Sequence, residues 1–256
     1  AIGDTATHPR PTASPGFVGA TQIAIGHWSS CAIIGGEVQC VGTDASGVLG
    51  DGPTTHGSPV TTPVIVALGG TATQVAVGQY HACALLADHT VKCWGSDLYG
   101  GFGKGTMGSS YDAPTTTGFG STVTQVAVGD WFTCVLLMDQ TVRCAGRNAN
   151  GQLGDGSTLD SNLPLMPTLR GPAIAVAANT QSGFGGHSCA LLMDGTIQCW
   201  GVNNAHDLGD GTSMMRTAPV DVVGVTGAVQ IALARDHSCA RTSAGAVYCW
   251  GANVYG

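Results

Sequence analysis

CALLMDGTIQCWG, from Cys189 to Gly201, places two cysteines ten positions apart around a central turn and follows the second with Trp-Gly. Four other stretches repeat the phrase. They are CAIIGGEVQCVG from Cys31, CALLADHTVKCWG from Cys83, CVLLMDQTVRCAG from Cys134 and CARTSAGAVYCWG from Cys239. Successive first cysteines lie 52, 51, 55 and 50 residues apart. An alternating run precedes each copy, as in TQIAIG at 21–26, TQVAVG at 73–78 and 124–129, IAVAA at 174–178 and VQIALA at 229–234. Glycine-rich turns follow the first four copies: GVLGDG, GGFGKG, GQLGDG and HDLGDG. A period near 50 with three or four short strands per copy predicts an all-β propeller of five blades.

Strand register explains the paired cysteines. In the fourth copy a three-residue loop, Met193-Asp194-Gly195, pairs Leu192 with Thr196 and sets Cys189 opposite Cys199. The first copy is one residue shorter, but a two-residue Gly35-Gly36 turn keeps Cys31 opposite Cys40. Directly opposed, non-hydrogen-bonded pairs lie within disulfide reach. Five hairpin disulfides are therefore expected: Cys31–Cys40, Cys83–Cys93, Cys134–Cys144, Cys189–Cys199 and Cys239–Cys249. No C-x₂₋₄-C metal cluster is present. Five disulfides place the protein in an oxidising setting: extracellular, cell-surface or periplasmic. The chain has no N-x-[ST] sequon, which is compatible with a bacterial source.

Charge narrows the partners. Net charge is −7 and charged residues make up only 10%, with Lys92 and Lys104 the two lysines. A nucleic-acid surface needs clustered cations, so nucleic acid is not expected. No apolar run approaches the ~20 residues of a membrane-spanning helix, so membrane insertion is not expected either. Asp51, Asp155 and Asp210, with Asp4, recur in GDG or GDT turns. One carboxylate per repeat suits an Asx-type turn better than a calcium site of six to eight oxygens. No catalytic constellation stands out, and neither an enzyme, a metal nor a cofactor is expected.

Just before the first cysteine the copies vary: GHWSSC, GQYHAC, GDWFTC, FGGHSC and RDHSC. Trp28, Tyr80 and Trp131 sit three positions before it, and Phe132 and His81 two before. Equivalent turns share one propeller face. Variable aromatics there predict a binding face made of Trp28, Tyr80, His81, Trp131 and Phe132, with Arg235 and Asp236 as a polar half. The CWG tryptophans Trp94, Trp200 and Trp250 occupy a repeat-defining strand position and read as packing residues.

The ordered phrase QVAVGxxHxCALLxDGTVxCWGxNxxGQLGDGT resembles the repeat of the regulator of chromosome condensation family over essentially the whole chain. Well-known members have seven blades, and most lack the paired cysteine. The resemblance implies a hydrogen-bonding role, rather than a metal-binding one, for His81, His187 and His237. It also implies that the turns before the first cysteine contact partners, as in a bacterial propeller that inhibits β-lactamase. The Gly-Trp-Arg-His phrase of the plant ultraviolet-B photoreceptor is absent, so light sensing is not implied. The chromatin-bound exchange factor's basic contacts and nuclear setting do not fit this acidic, cysteine-paired chain.

A single domain over 1–256 is expected, with repeats at about 21–72, 73–123, 124–173, 174–228, and 229–256 plus 1–20. In this reading the N-terminal segment completes the last blade, because NVYG joined to AIGDTATHPRPT restores the repeat. Two other readings remain: a cut from a longer array, or completion of a neighbouring molecule by self-assembly through the termini. The function expected is non-catalytic binding of a protein partner. The alternatives are a carbohydrate-binding lectin and a structural subunit of an extracellular assembly.

Overall fold

The alternating runs form strands at the expected positions in a computed structural model that describes residues 14–53, 59–179 and 186–253. Among these, strands assemble into five antiparallel sheets in chain order. Sheet one comprises Ala20–Ile25, Ser29–Ile34, Glu37–Gly42 and Val60–Val66. Sheet two comprises Ala72–Val77, His81–Leu86, Val91–Asp97 and Ser109–Thr116. Sheet three comprises Val123–Val128, Phe132–Leu137, Val142–Gly146 and Ser161–Leu165. Sheet four comprises Ala173–Ala178, His187–Leu192, Ile197–Gly201 and Arg216–Asp221. Sheet five has three described strands, Ala228–Leu233, His237–Thr242 and Val247–Gly251. First strands of successive sheets lie side by side, as the innermost strands of propeller blades do.

The expected completion of sheet five falls on residues 1–13, outside the described residues, as does Asp4. The segment that follows, including the 3-10 turn Pro15–Phe17, lies against Val60–Val66 of sheet one. No helix among the described residues is long and apolar enough to cross a membrane.

All five hairpin disulfides are present, and the described chain has no free cysteine. Register pairs Cys189 directly with Cys199, and Cys31 with Cys40 despite the shorter loop. Paired Cα atoms are 4.0 to 4.1 Å apart. The hairpin loops are fixed by their aspartates. Asp88, Asp139 and Asp194 each accept hydrogen bonds from the backbone N–H and the hydroxyl of the threonine two residues on. The GDG aspartates Asp155 and Asp210 do the same with Ser157 and Thr212, as the Asx-turn reading expects.

Each sheet has a forward face, packed on the next sheet, and a rear face. Forward Ile33, Val38 and the Cys31–Cys40 bridge meet rear Val75, Val77 and Trp94 of sheet two. The same set recurs as Leu85 and Val91 against Val126 and Val128, Leu136 and Val142 against Val176 and Trp200, and Leu191 and Ile197 against Ile231 and Trp250. Burying one such aliphatic side chain contributes about 1.5–3 kcal/mol, so the seams dominate the fold's stability.

Polar clasps align the seams. Gln22 donates from Nε2 to the Val75 carbonyl (3.1 Å) and accepts from the Val75 N–H (2.7 Å). Gln74 does the same to Val126, and Gln125 accepts from the Val176 N–H. Beside this clasp His81 is hydrogen-bonded to Thr133 (2.9 Å) and His187 to Ser238 (2.8 Å), each on the next sheet. In the reverse direction the indoles of Trp94, Trp200 and Trp250 donate to carbonyls of the preceding sheet's glycine-rich loop. Trp94 and Trp200 are wholly buried, as packing residues.

That loop has its own clasp. Asp44, Asp97, Asn148 and Asn203 each accept the backbone N–H five residues on. Asn148 and Asn203 also donate to Asp155 and Asp210. Sheet two substitutes Asp97 for the asparagine and Lys104 for the GDG aspartate. Burial pushes the Asp97 carboxyl up to about 6, although the Phe102 N–H and Lys104 favour its ionised form.

Two outcomes follow from this packing. The cysteines of the first four bridges are wholly buried, whereas Cys249 is exposed and Cys239 half-buried. Mild reductant with rapid alkylation should therefore label Cys239 and Cys249 first, and peptide mapping should find the other four bridges intact. Asp97 ionises near 3.8 when unfolded and near 6 when folded, so its carboxyl favours the fold at low pH and penalises it above about 6. Asp97→Asn should accordingly raise the melting temperature at pH 7 and give little gain at pH 4. Buried His81 and His187, lowered to about 4 and about 3, act with the opposite sign and weaken the fold as pH falls below 6.5.

Candidate functional site: an aromatic end of the propeller

Strand parity decides which loops meet. In a four-stranded meander the turn between the first and second strands shares one end with the loop between the third and fourth. The turns carrying Trp28, Tyr80 and Trp131 therefore lie at the same end as the glycine-rich loops. Side-chain alternation then separates adjacent residues. The position two before the first cysteine shares the cysteine's face and enters the seam, while the position three before points away from it.

His81 and Phe132 obey this rule and correct the sequence reading, which put them on the binding face. Each is only 1% exposed. His81 is part of the clasp to Thr133. Phe132 takes the equivalent place in sheet three, where its ring closes against Gly129 and Gly186, and a Cβ at either would overlap it. Neither can touch a partner without opening a seam.

The aromatics three before the cysteine remain at the surface. Trp28 is 58% exposed and stacks on His27, with centroids 4.4 Å apart. Tyr80 and Trp131, from neighbouring sheets, stack at 3.8 Å with planes 19° apart. Tyr99, from the glycine-rich loop of sheet two, meets Trp131 edge-on at 5.2 Å. The Arg147 guanidinium lies 5.5 Å from the Tyr99 ring centre. Sequence reading missed Tyr99 and Arg147, which lie in loops it treated as structural. Arg235 and Asp236 occur together on the turn of sheet five, paired at 3.6 Å.

Buried acceptors lie beneath the aromatic layer. Gln79 donates to the Tyr80 hydroxyl (2.8 Å), which leaves its buried Oε1 without a hydrogen-bond partner. Asp130, next to Trp131, is 3% exposed, and neither carboxylate oxygen has a hydrogen-bond partner. Burial pushes its carboxyl up to about 6, and Arg147 pulls it back. A partner's apolar surface laid over this end would cover the rings. No group of three or more His, Cys, Asp or Glu side chains among the described residues could hold a metal ion.

Comparison with known proteins places this architecture. The profile of the "Regulator of chromosome condensation (RCC1) repeat" matches residues 72–100, 123–152 and 228–256. The Arabidopsis thaliana ultraviolet-B receptor UVR8 is 31% identical over 213 residues, covering 80% of this chain and 46% of the receptor. Human WBSCR16 superimposes with a TM-score of 0.79 at 22% identity, over 92% of this chain and 62% of that protein. Yeast RCC1 (Prp20), solved bound to Kap60, superimposes with a TM-score of 0.72 at 22% identity, over 91% of this chain and 56% of that protein. The chain thus spans less than half of the receptor and less than two thirds of either propeller. With its repeat phrase, strand order and fold in agreement, this chain is a repeat propeller of the regulator-of-chromosome-condensation type.

Proposed function

We propose that this propeller is a non-catalytic, secreted or surface-exposed module that binds a protein partner through the end bearing Trp28, Tyr80, Tyr99 and Trp131. The observation that carries this reading is the Tyr80–Trp131 stack, met edge-on by Tyr99, at the propeller end that also exposes Trp28. Rigid aromatic area at the surface has the composition of an interface hot spot. The yeast relative's structure with Kap60 supports a protein as the ligand class. The five disulfides suggest an oxidising, non-cytosolic location.

A partner recovered by crosslinking from the native extracellular fluid supplies the test. Trp28→Ala and Trp131→Ala should each weaken its binding by about 30-fold, or about 2 kcal/mol. Met138→Ala and Met193→Ala, exposed at the opposite end of the sheets, should leave affinity unchanged. Trp28→Ala should also leave the melting temperature nearly unchanged, because the ring is mostly exposed. Unchanged affinity in both tryptophan variants would contradict the reading. Binding on a glycan array that the same substitutions abolish would replace it with a lectin.

A further inference from the structure

The chain's sulfur falls into two classes. All ten cysteines are bridged, and the bridges of sheets one to four are wholly buried. The six methionines carry the thioethers, and every one is at the surface. Met107, Met138, Met166, Met193, Met214 and Met215 are 42% to 64% exposed. Methionine is ordinarily among the more buried residues and fills gaps in cores. Here the buried clusters are built from Ile, Leu, Val, Phe, Trp, Ala and bridged Cys, without methionine.

Packing does not account for these positions. Met138 and Met193 stand in the hairpin loops of sheets three and four, just before the aspartate that fixes each loop. Ala87 and Ser243 take that place in sheets two and five, so the loop does not require a thioether. Met166 follows the fourth strand of sheet three, at the same end of the sheets. Met107 lies in the glycine-rich loop of sheet two, and Met214 and Met215 lie in that of sheet four. Those loops share the end that carries Trp28, Tyr80 and Trp131. Thioethers therefore stand at both ends, on loops of the three internal sheets.

We propose that these methionines are oxidation sites that intercept two-electron oxidants of the form HO–X, hydrogen peroxide and hypohalous acids, before they reach the exposed indole of Trp28. In each event the sulfur lone pair takes the oxygen atom. An S–O bond forms, the O–X bond breaks, sulfur loses two electrons, and X leaves with the proton as HX. One thioether and one HO–X thus give one sulfoxide and one HX. Susceptibility follows exposure. The five disulfides suggest an oxidising setting, where the cytosolic thiol pool does not remove such oxidants. A sulfoxide is polar, and on a loop it meets water rather than a core, so the seams and their clasps are left intact. The proposal does not depend on which partner the aromatic end binds.

Stepwise addition of hypochlorous acid to the folded chain, followed by peptide mass mapping, tests this. The wild type should take up six oxygen atoms, one per methionine, before Trp28 is modified. Its melting temperature should then be nearly unchanged, because no core residue has reacted. A variant carrying all six Met→Leu substitutions should fold as the wild type does. It should lose Trp28 after about six fewer equivalents of oxidant, one for each thioether removed. A methionine that reacts only after unfolding overturns the proposal. So does Trp28 modified ahead of the methionines, Trp28 lost at the same dose in both proteins, or a fully oxidised chain that has unfolded.

Discussion

The inward-facing edge of each sheet's first strand is the weak point of this architecture. Its N–H and C=O groups have no further strand of the same sheet to meet, and leaving them buried without partners would cost about 1–3 kcal/mol each. Gln22 and Gln74 meet this constraint by giving the following sheet's valine both a donor and an acceptor. The amide matches the spacing of the peptide group it binds, so it fixes the height of one sheet on the next. The aliphatic cores, the histidine bonds and the indole bonds then fall into register. The disulfides act within blades and the clasps between them.

Much of this order could be read directly from the residues. Paired cysteines, their near-constant spacing and the loop that shortens without losing register gave the hairpins and the five repeated units. The seam clasp could not be read in the same way. In TQVAV the glutamine alternates with apolar residues and looks like a solvent-facing position of a half-buried strand. Its partner lies on another sheet, 53 residues away for Gln22 and Val75. The Asp97 and Lys104 exchange was visible in the sequence, but its meaning needed the loop geometry that brings the two positions together.

The candidate site was legible in part for a related reason. Aromatic variation before the first cysteine picked out one end of the molecule, and Trp28, Tyr80 and Trp131 are at its surface. Counting by twos from the buried cysteine would have assigned His81 and Phe132 to the seam, because side chains on a strand repeat their direction every second residue. Tyr99 and Arg147 carry no motif. They join the aromatic group through strand parity and the path of a glycine-rich loop.

The account places the clasp at the centre of the fold, and amide hydrogen exchange measured residue by residue tests that most directly. Val75, Val126 and Val176 have N–H groups held by Gln22, Gln74 and Gln125 and should exchange slowly. Ile231 is the equivalent residue of sheet five, but the preceding sheet offers it Ala175 in place of glutamine, and it should exchange fast. Gln22→Ala should move Val75 into the fast class while leaving Val126 slow. Equal protection at all four positions, or a Val75 amide indifferent to Gln22, would contradict the account.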